Sequence, residues 1–246
     1  MRRILLAAAM TLGLAAPGMA ACPVPPRGQP MPAEATSGPQ VWPPWQVAVD
    51  SLTERLGRSN VAPARIVFLG DSIIEGWQPQ IFQQFYGHRA PINLGIGGDA
   101  TQGMLWRLEN GHWPANLRPQ LIVLMIGTNN IGFGSTPENT AYGIGAVVAR
   151  LQQLSPNSRI LLLGLLPRGA TTTDAMRPLV ARTNQLIAAC ADGRRVLYAN
   201  PGPMLLDGGG NLADYVAFDA LHLTMVGYAI LSTAIEPVIR QSLGNS

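Results

Sequence analysis

Short, almost wholly apolar runs alternate along this chain with longer stretches in which apolar side chains return every three or four positions. The runs at residues 65–69, 91–94, 121–126, 159–165 and 195–199 are rich in Ile, Leu and Val. Most lack the apolar–polar alternation of a half-exposed strand, so they predict strands buried on both faces. Residues 79–86, 101–109, 137–154, 173–191 and 224–243 predict the helices between and after them, with one more at 47–56 ahead of the first strand. Thr136 stands where a helix cap belongs and Pro137 where the first helical residue belongs. Strand and helix alternating in this way predict an α/β fold, a parallel sheet with helices on both faces. Ligands of such folds bind beyond the carboxyl ends of the strands, near the point where the strand order reverses. The loops that follow the strands should therefore carry the function.

Ahead of residue 46 the pattern is different. Arg2 and Arg3 precede an apolar stretch at residues 4–16, and small residues follow as far as Ala21. That order predicts a secretory signal peptide over residues 1–21, cut after Ala20 or Ala21, and hence export to the periplasm or the exterior. The stretch is too short to span a bilayer stably, and no other run has spanning length. Residues 22–45 are rich in proline and form a linker or extended arm, with Trp42 and Trp45 as candidates to pin its end to the body. Residues 46–246 are left for the folded domain.

Composition refines this picture only a little. With 47% apolar and 13% charged residues, the chain can bury a sizeable core. Its formal charge of +3 includes the two leader arginines, and it has no basic run or aromatic-interleaved patch, which argues against nucleic acid as a partner. All 17 basic residues are arginine, a bias that speaks of a GC-rich source and not of function. Cys22 and Cys190 have no metal-binding spacing. They could pair in an oxidising compartment. Cys22 could also carry a lipid, although Met19 is a poor match to a lipoprotein cleavage box. The reading preferred on sequence is an unpaired, buried Cys190 and a Cys22 on flexible chain.

The loops hold the candidate chemistry. "FLGDSIIEGW" places Ser72 after the first strand. Ser72 and Glu75 spell S-x-x-E, a capping box, yet the same serine could be a nucleophile at a strand end, and the local sequence supports either. "FDALHLT" holds Asp219 three residues before His222, a spacing that can bring the carboxylate to one imidazole nitrogen and free the other to take a proton. His88 and His112 stand in polar loops and read as surface or packing residues. Gly98 after the second strand, Asn129 in "GTNN" after the third and the Ser72 N–H are candidate donors to an oxyanion. "GIGGDA" also matches G-x-G-x-x-A, a relaxed dinucleotide fingerprint. It follows the second strand instead of the first, and no acidic residue ends the next strand, so no cofactor is expected. Ile74 stands where G-x-S-x-G would need glycine, which excludes the nucleophile elbow of the α/β-hydrolases.

Taken together, "GDS" with Ser72, "NLGIGG" with Gly98, "GTNN" with Asn129 and "DALH" with Asp219 and His222 resemble the four signature blocks of the SGNH or GDSL-type hydrolases, in order, over about residues 65–240. Within that family "NLGIGGDATQGMLWRLENG" and "LLLGLLPRG" are most similar to the catalytic subunits of the brain-type platelet-activating-factor acetylhydrolases. The resemblance implies a flavodoxin-like three-layer α/β/α fold with a five-stranded sheet of order 2-1-3-4-5. It implies Ser72 as nucleophile, His222 as base, Asp219 as its partner, and an oxyanion hole of Ser72, Gly98 and Asn129, with no metal or cofactor. It also allows a homodimer. The expected leader departs from those intracellular relatives, so their substrate is not carried over. A short-acyl ester of a lipid, glycan or small alcohol is expected. A carbohydrate acetyl esterase is the alternative, which a sugar groove flanked by tryptophans such as Trp77, Trp106 or Trp113 would favour. A non-catalytic binding module ranks last, because all four chemical residues are present.

Overall fold

The computed structural model describes residues 21–244. The expected signal peptide, Ala21 apart, lies outside the described residues. Five strands, β1 (Ile66–Gly70), β2 (Pro91–Gly95), β3 (Leu121–Met125), β4 (Arg159–Leu163) and β5 (Val196–Ala199), form one parallel sheet of order β2-β1-β3-β4-β5. This is the expected fold. β1 and β3 are buried along their whole length, which is why their sequences do not alternate. Successive side chains still point to opposite faces. Val67, Leu69, Ile122 and Leu124 enter one core with α1 (Pro43–Arg58), α4 (Thr101–Glu109) and α6 (Pro137–Leu154). Phe68, Val123, Leu161 and Leu163 enter the other with α3 (Pro79–Tyr86) and α8 (Met225–Leu243). α7 (Met176–Ile187) gives Val180 to the second core and Ile187 to the first.

Most boundaries fall within a few residues of those expected. α1 starts at Pro43, four residues early, because two prolines occupy its first turn, where no N–H acceptor is needed. The stretch expected as one helix over 173–191 begins at Met176 and tightens into a 3-10 turn at Ala188–Cys190. Two short helices add to these: α2 (Ser72–Glu75), which begins at Ser72 where the S-x-x-E match expects a helix start, and α5 (Thr128–Gly132), which was not expected. One turn of helix is too short to show a period.

The proline-rich arm lies along α6 and α4. A Cβ on Gly143 would collide with the Glu34 carbonyl, and one on Gly145 would press on Cys22. Two glycines in a helix interior cost about 1 kcal/mol each, and here they open the groove the arm fills. Thr101 Oγ1 donates to the Glu34 carbonyl at 2.7 Å, and the Gly38 N–H to the Gln102 carbonyl at 3.2 Å.

That path corrects the cysteine reading. Cys22 and Cys190 are joined in a disulfide. Packing on the glycines of α6 carries Cys22 to the turn that ends α7, a contact 168 residues apart in sequence that no local pattern reveals. Its sulfur bonded to Cys190, Cys22 has no thiol left to carry a lipid. Replacing both cysteines with serine is expected to remove about 2–4 kcal/mol of stability and to lower the melting temperature by roughly 5–15 °C. A melt of the double variant within about 2 °C of the parent would show that arm packing alone holds the N-terminus.

Candidate active site

β1, β2 and β3 end side by side, and the order of the sheet reverses between β1 and β3. Ser72 lies at that point, with the loop after β2 on one side and α5 on the other. The chain turns straight from Gly70 into α2, and the cap of α2 is Asp71: its Oδ1 accepts from the Ile73 N–H at 3.0 Å. The Glu75 N–H donates to the Asp71 carbonyl at 2.9 Å. The S-x-x-E match is therefore not a capping box. The Ser72 hydroxyl instead lies 2.9 Å from His222 Nε2.

His222 is held by its own loop, a tight turn ahead of α8. Ala217 and Leu223 bridge its two limbs, and Ala220 takes a left-handed φ of 59° at its tip. Asp219 Oδ1 accepts from the Leu221 and His222 N–H groups at 3.1 and 2.6 Å, and its Oδ2 lies 2.7 Å from His222 Nδ1. Partial burial works to raise the Asp219 pKa. The hydrogen bonds from the His222 ring and backbone outweigh it, holding the carboxyl below its ordinary range. An ionised Asp219 at Nδ1 keeps the proton there and leaves Nε2 to accept from Ser72. The Phe218 ring stacks beside the imidazole with centroids 6.0 Å apart.

Gly98 has a φ of 71°, and a Cβ there would run into the Trp42 ring. Asn129 is in α5, and its Nδ2 donates to the Asp99 carbonyl at 2.8 Å. An amide nitrogen carries two hydrogens, so the second is available to the cavity. Asn130, the other asparagine of "GTNN", is buried. Its Oδ1 accepts from the Thr101 N–H at 3.1 Å, tying α5 to the start of α4.

Under the loop after β2 lies a fully buried ion pair, Asp99 with Arg107, at 2.7 Å. Asp99 Oδ1 also accepts from Trp45 Nε1 at 2.9 Å and from Gln40 Nε2 at 3.3 Å, and Arg107 Nη2 donates to the Gly70 carbonyl at 3.1 Å. One network thus ties the arm, the loop of Gly98, Asn129 and the end of β1. Removing one partner would strand a buried charge, a loss of about 3–5 kcal/mol. Asp71 is buried too, and burial pushes its pKa up to about 7.

These residues open on a cavity of about 770 Å³ lined by Ser72, His222, Gly97, Gly98, Asn129, Gln102 and Phe133, and by Pro39, Gln40, Val41 and Trp42 of the arm. Ser72, Gly98, Asn129 and His222 are thus brought together, with Asp219 behind His222. The other two histidines lie elsewhere. His88 is exposed. His112 is buried against Thr53 at 2.8 Å, and burial lowers its pKa to about 4. The tryptophans that would favour a glycan substrate by flanking a groove are not at the cavity: Trp77 and Trp113 are core residues, and Trp106 packs on Trp45. The tryptophan that does line it is Trp42, taken in the sequence only as a pin. Its signal was position, at the end of the proline-rich arm, and no pattern ties that arm to the strand ends. Among the described residues, no group of three or more His, Cys, Asp or Glu could hold a metal ion, and no helix is long and apolar enough to cross a membrane.

Comparison with known proteins agrees with this architecture. The model of the GDSL-like Lipase/Acylhydrolase family matches residues 50–230. The rat (Rattus norvegicus) protein platelet-activating factor acetylhydrolase IB subunit alpha2 is 36% identical over 184 residues, 72% of this chain and 77% of its own. The human (Homo sapiens) subunit alpha1 is 34% identical over 180 residues, 72% and 76%. The crystal structure of a GDSL-like lipase from Bacteroides thetaiotaomicron superposes with a TM-score of 0.67 over 79% of this chain and 98% of that one, at 21% identity, a likeness of fold.

Proposed function

The chain belongs to the GDSL-like lipase/acylhydrolase family of carboxylic ester hydrolases, and from that premise we propose that it is an exported serine esterase of short-acyl esters. Ser72 is the nucleophile, His222 the base and Asp219 the group that orients it. The observation that carries this reading is the continuous chain Ser72 Oγ–His222 Nε2 at 2.9 Å and His222 Nδ1–Asp219 Oδ2 at 2.7 Å, at the edge of a cavity wide enough for an ester.

In this mechanism Ser72 Oγ attacks the ester carbonyl as its proton passes to His222 Nε2. The carbonyl oxygen becomes an oxyanion facing the Gly98 N–H, the Asn129 amide and the Ser72 N–H. The last sits in the first turn of α2, where a helix offers no acceptor. Collapse breaks the bond to the alcohol, which leaves with the proton from His222. Water, deprotonated by His222, then attacks the acyl-serine and releases the acid. Asp219 stays ionised throughout and stabilises the imidazolium.

Export draws support from the leader pattern and from the Cys22–Cys190 bond, which persists in oxidising compartments. Among the described residues that line the cavity there is no Asp, Glu or Arg, which favours an uncharged ester. A second reading, an acetylated glycan as substrate, draws support from Trp42, half exposed at the cavity beside the neutral hydrogen-bonding Gln102 and Asn129. The test is hydrolysis of p-nitrophenyl esters of rising acyl length by the purified protein. Acetate is expected to be the best substrate, with kcat/KM at least about tenfold lower by octanoate. A folded protein that hydrolyses none of them, yet releases acetate from acetylated xylan, would replace the first reading with the second.

A further inference from the structure

The family match begins at residue 50, yet four of the residues lining the cavity, Pro39 to Trp42, lie before it. They are held there from several directions. Gln40 Nε2 donates to the Gly98 carbonyl at 3.1 Å and approaches Asp99 Oδ1 at 3.3 Å. Trp45, fully buried three residues past Trp42, donates to the same carboxylate at 2.9 Å. Upstream, Ser37 Oγ donates to Glu109 Oε2 at 2.7 Å, and the disulfide fixes the start of the arm. Between these anchors Trp42 keeps 49% of its surface exposed, and its ring covers the Cα of Gly98. Val41 beside it is 98% exposed, and Phe133, 67% exposed, lines the same cavity from the end of α5. A large aromatic packed on Gly98 and left half bare in the cavity that Ser72 also lines has a surface that a ligand can cover.

We propose that the arm is a working wall of the active site and that Trp42 is a specificity-determining residue, its ring packing against an uncharged, apolar part of the ester. The inference rests on the reading of Ser72 as nucleophile. It assigns discrimination among esters to a segment outside the family's matched span, so members sharing the four blocks can differ in substrate through their arms.

The test compares kcat and KM for Trp42→Ala, Trp42→Phe and the parent on two pairs of uncharged esters. One pair is 1-naphthyl acetate and ethyl acetate, which differ on the alcohol side. The other is p-nitrophenyl butyrate and p-nitrophenyl acetate, which differ on the acyl side. In one pair Trp42→Ala is expected to lower the ratio of kcat/KM, larger over smaller ester, by about tenfold, chiefly through KM, with Trp42→Phe in between. The pair that responds tells which part of the ester meets the ring. Ratios unchanged in both pairs, or an equal loss in kcat on every ester, would overturn the proposal and leave Trp42 a prop for Gly98. Ser72→Ala is run beside them. If it keeps parental activity the nucleophile reading fails. If it is inactive while the Trp42 ratios stay at parental values, only the present inference fails.

Discussion

Ser72→Ala is expected to lower kcat/KM for p-nitrophenyl acetate by about 10⁴-fold or more while the melting temperature stays within about 1 °C of the parent. The two halves of this expectation come from the same geometry. On the proposed mechanism alanine removes the oxygen that forms the acyl-enzyme, and water does not replace an attack that depends on a group 2.9 Å from its base. Alanine takes nothing from the helix, because Asp71 caps α2. Had Ser72 been the cap, its loss would cost about 1 kcal/mol, or roughly 2–4 °C. Kinetics and a thermal melt on one variant therefore separate the two roles that "DSIIE" allows. An active Ser72→Ala with a lowered melting temperature would reverse the assignment.

The parts of this protein legible in its sequence are those whose signal is local or ordered. Buried parallel strands announce themselves because both faces are covered, so residues 66–69 and 121–125 read as unbroken apolar runs. The sheet order and the meeting of Ser72, Gly98, Asn129 and His222 were implied by the family resemblance that four short blocks carry together, not by any one of them. Asp219 and His222 lie on one turn, where spacing is a fair guide to contact. Of the arm only its pinned end was legible, at Trp45, which is buried and bonded to Asp99. Its residues follow no period, and its position is set by Gly143 and Gly145 of α6, by Asp99 and by a bond to Cys190. Each of these partners is distant in sequence, and none advertises its purpose. Where Trp77, Trp106 and Trp113 would pack was illegible for the matching reason: a tryptophan's type says it will be buried against something, not what. The cap fell to Asp71 over Ser72 by one residue, a distinction that depends on where β1 ends.

His222→Ala should bring hydrolysis to the same floor as Ser72→Ala, at least about 10⁴-fold below the parent, and the Ser72→Ala, His222→Ala double variant should fall no further. Groups that act as one unit lose their whole effect at the first deletion. Without the imidazole, no other histidine takes the serine proton, since His88 is exposed elsewhere and His112 is buried against Thr53. Asp219→Asn should cost less, about 10- to 10³-fold. Its side chain is 43% exposed, so water screens the charge that stabilises the imidazolium. An asparagine can still accept from Nδ1, but its amide can equally turn a donor toward the ring and favour the wrong tautomer. The grading Ser72 ≈ His222 > Asp219 follows from burial and distance alone, and kcat/KM for the four variants on one ester measures it. Losses for Ser72 and His222 that multiplied in the double variant would mean that the two act in separate steps, and the chain of hydrogen bonds from Ser72 to Asp219 would then describe a contact and not a mechanism.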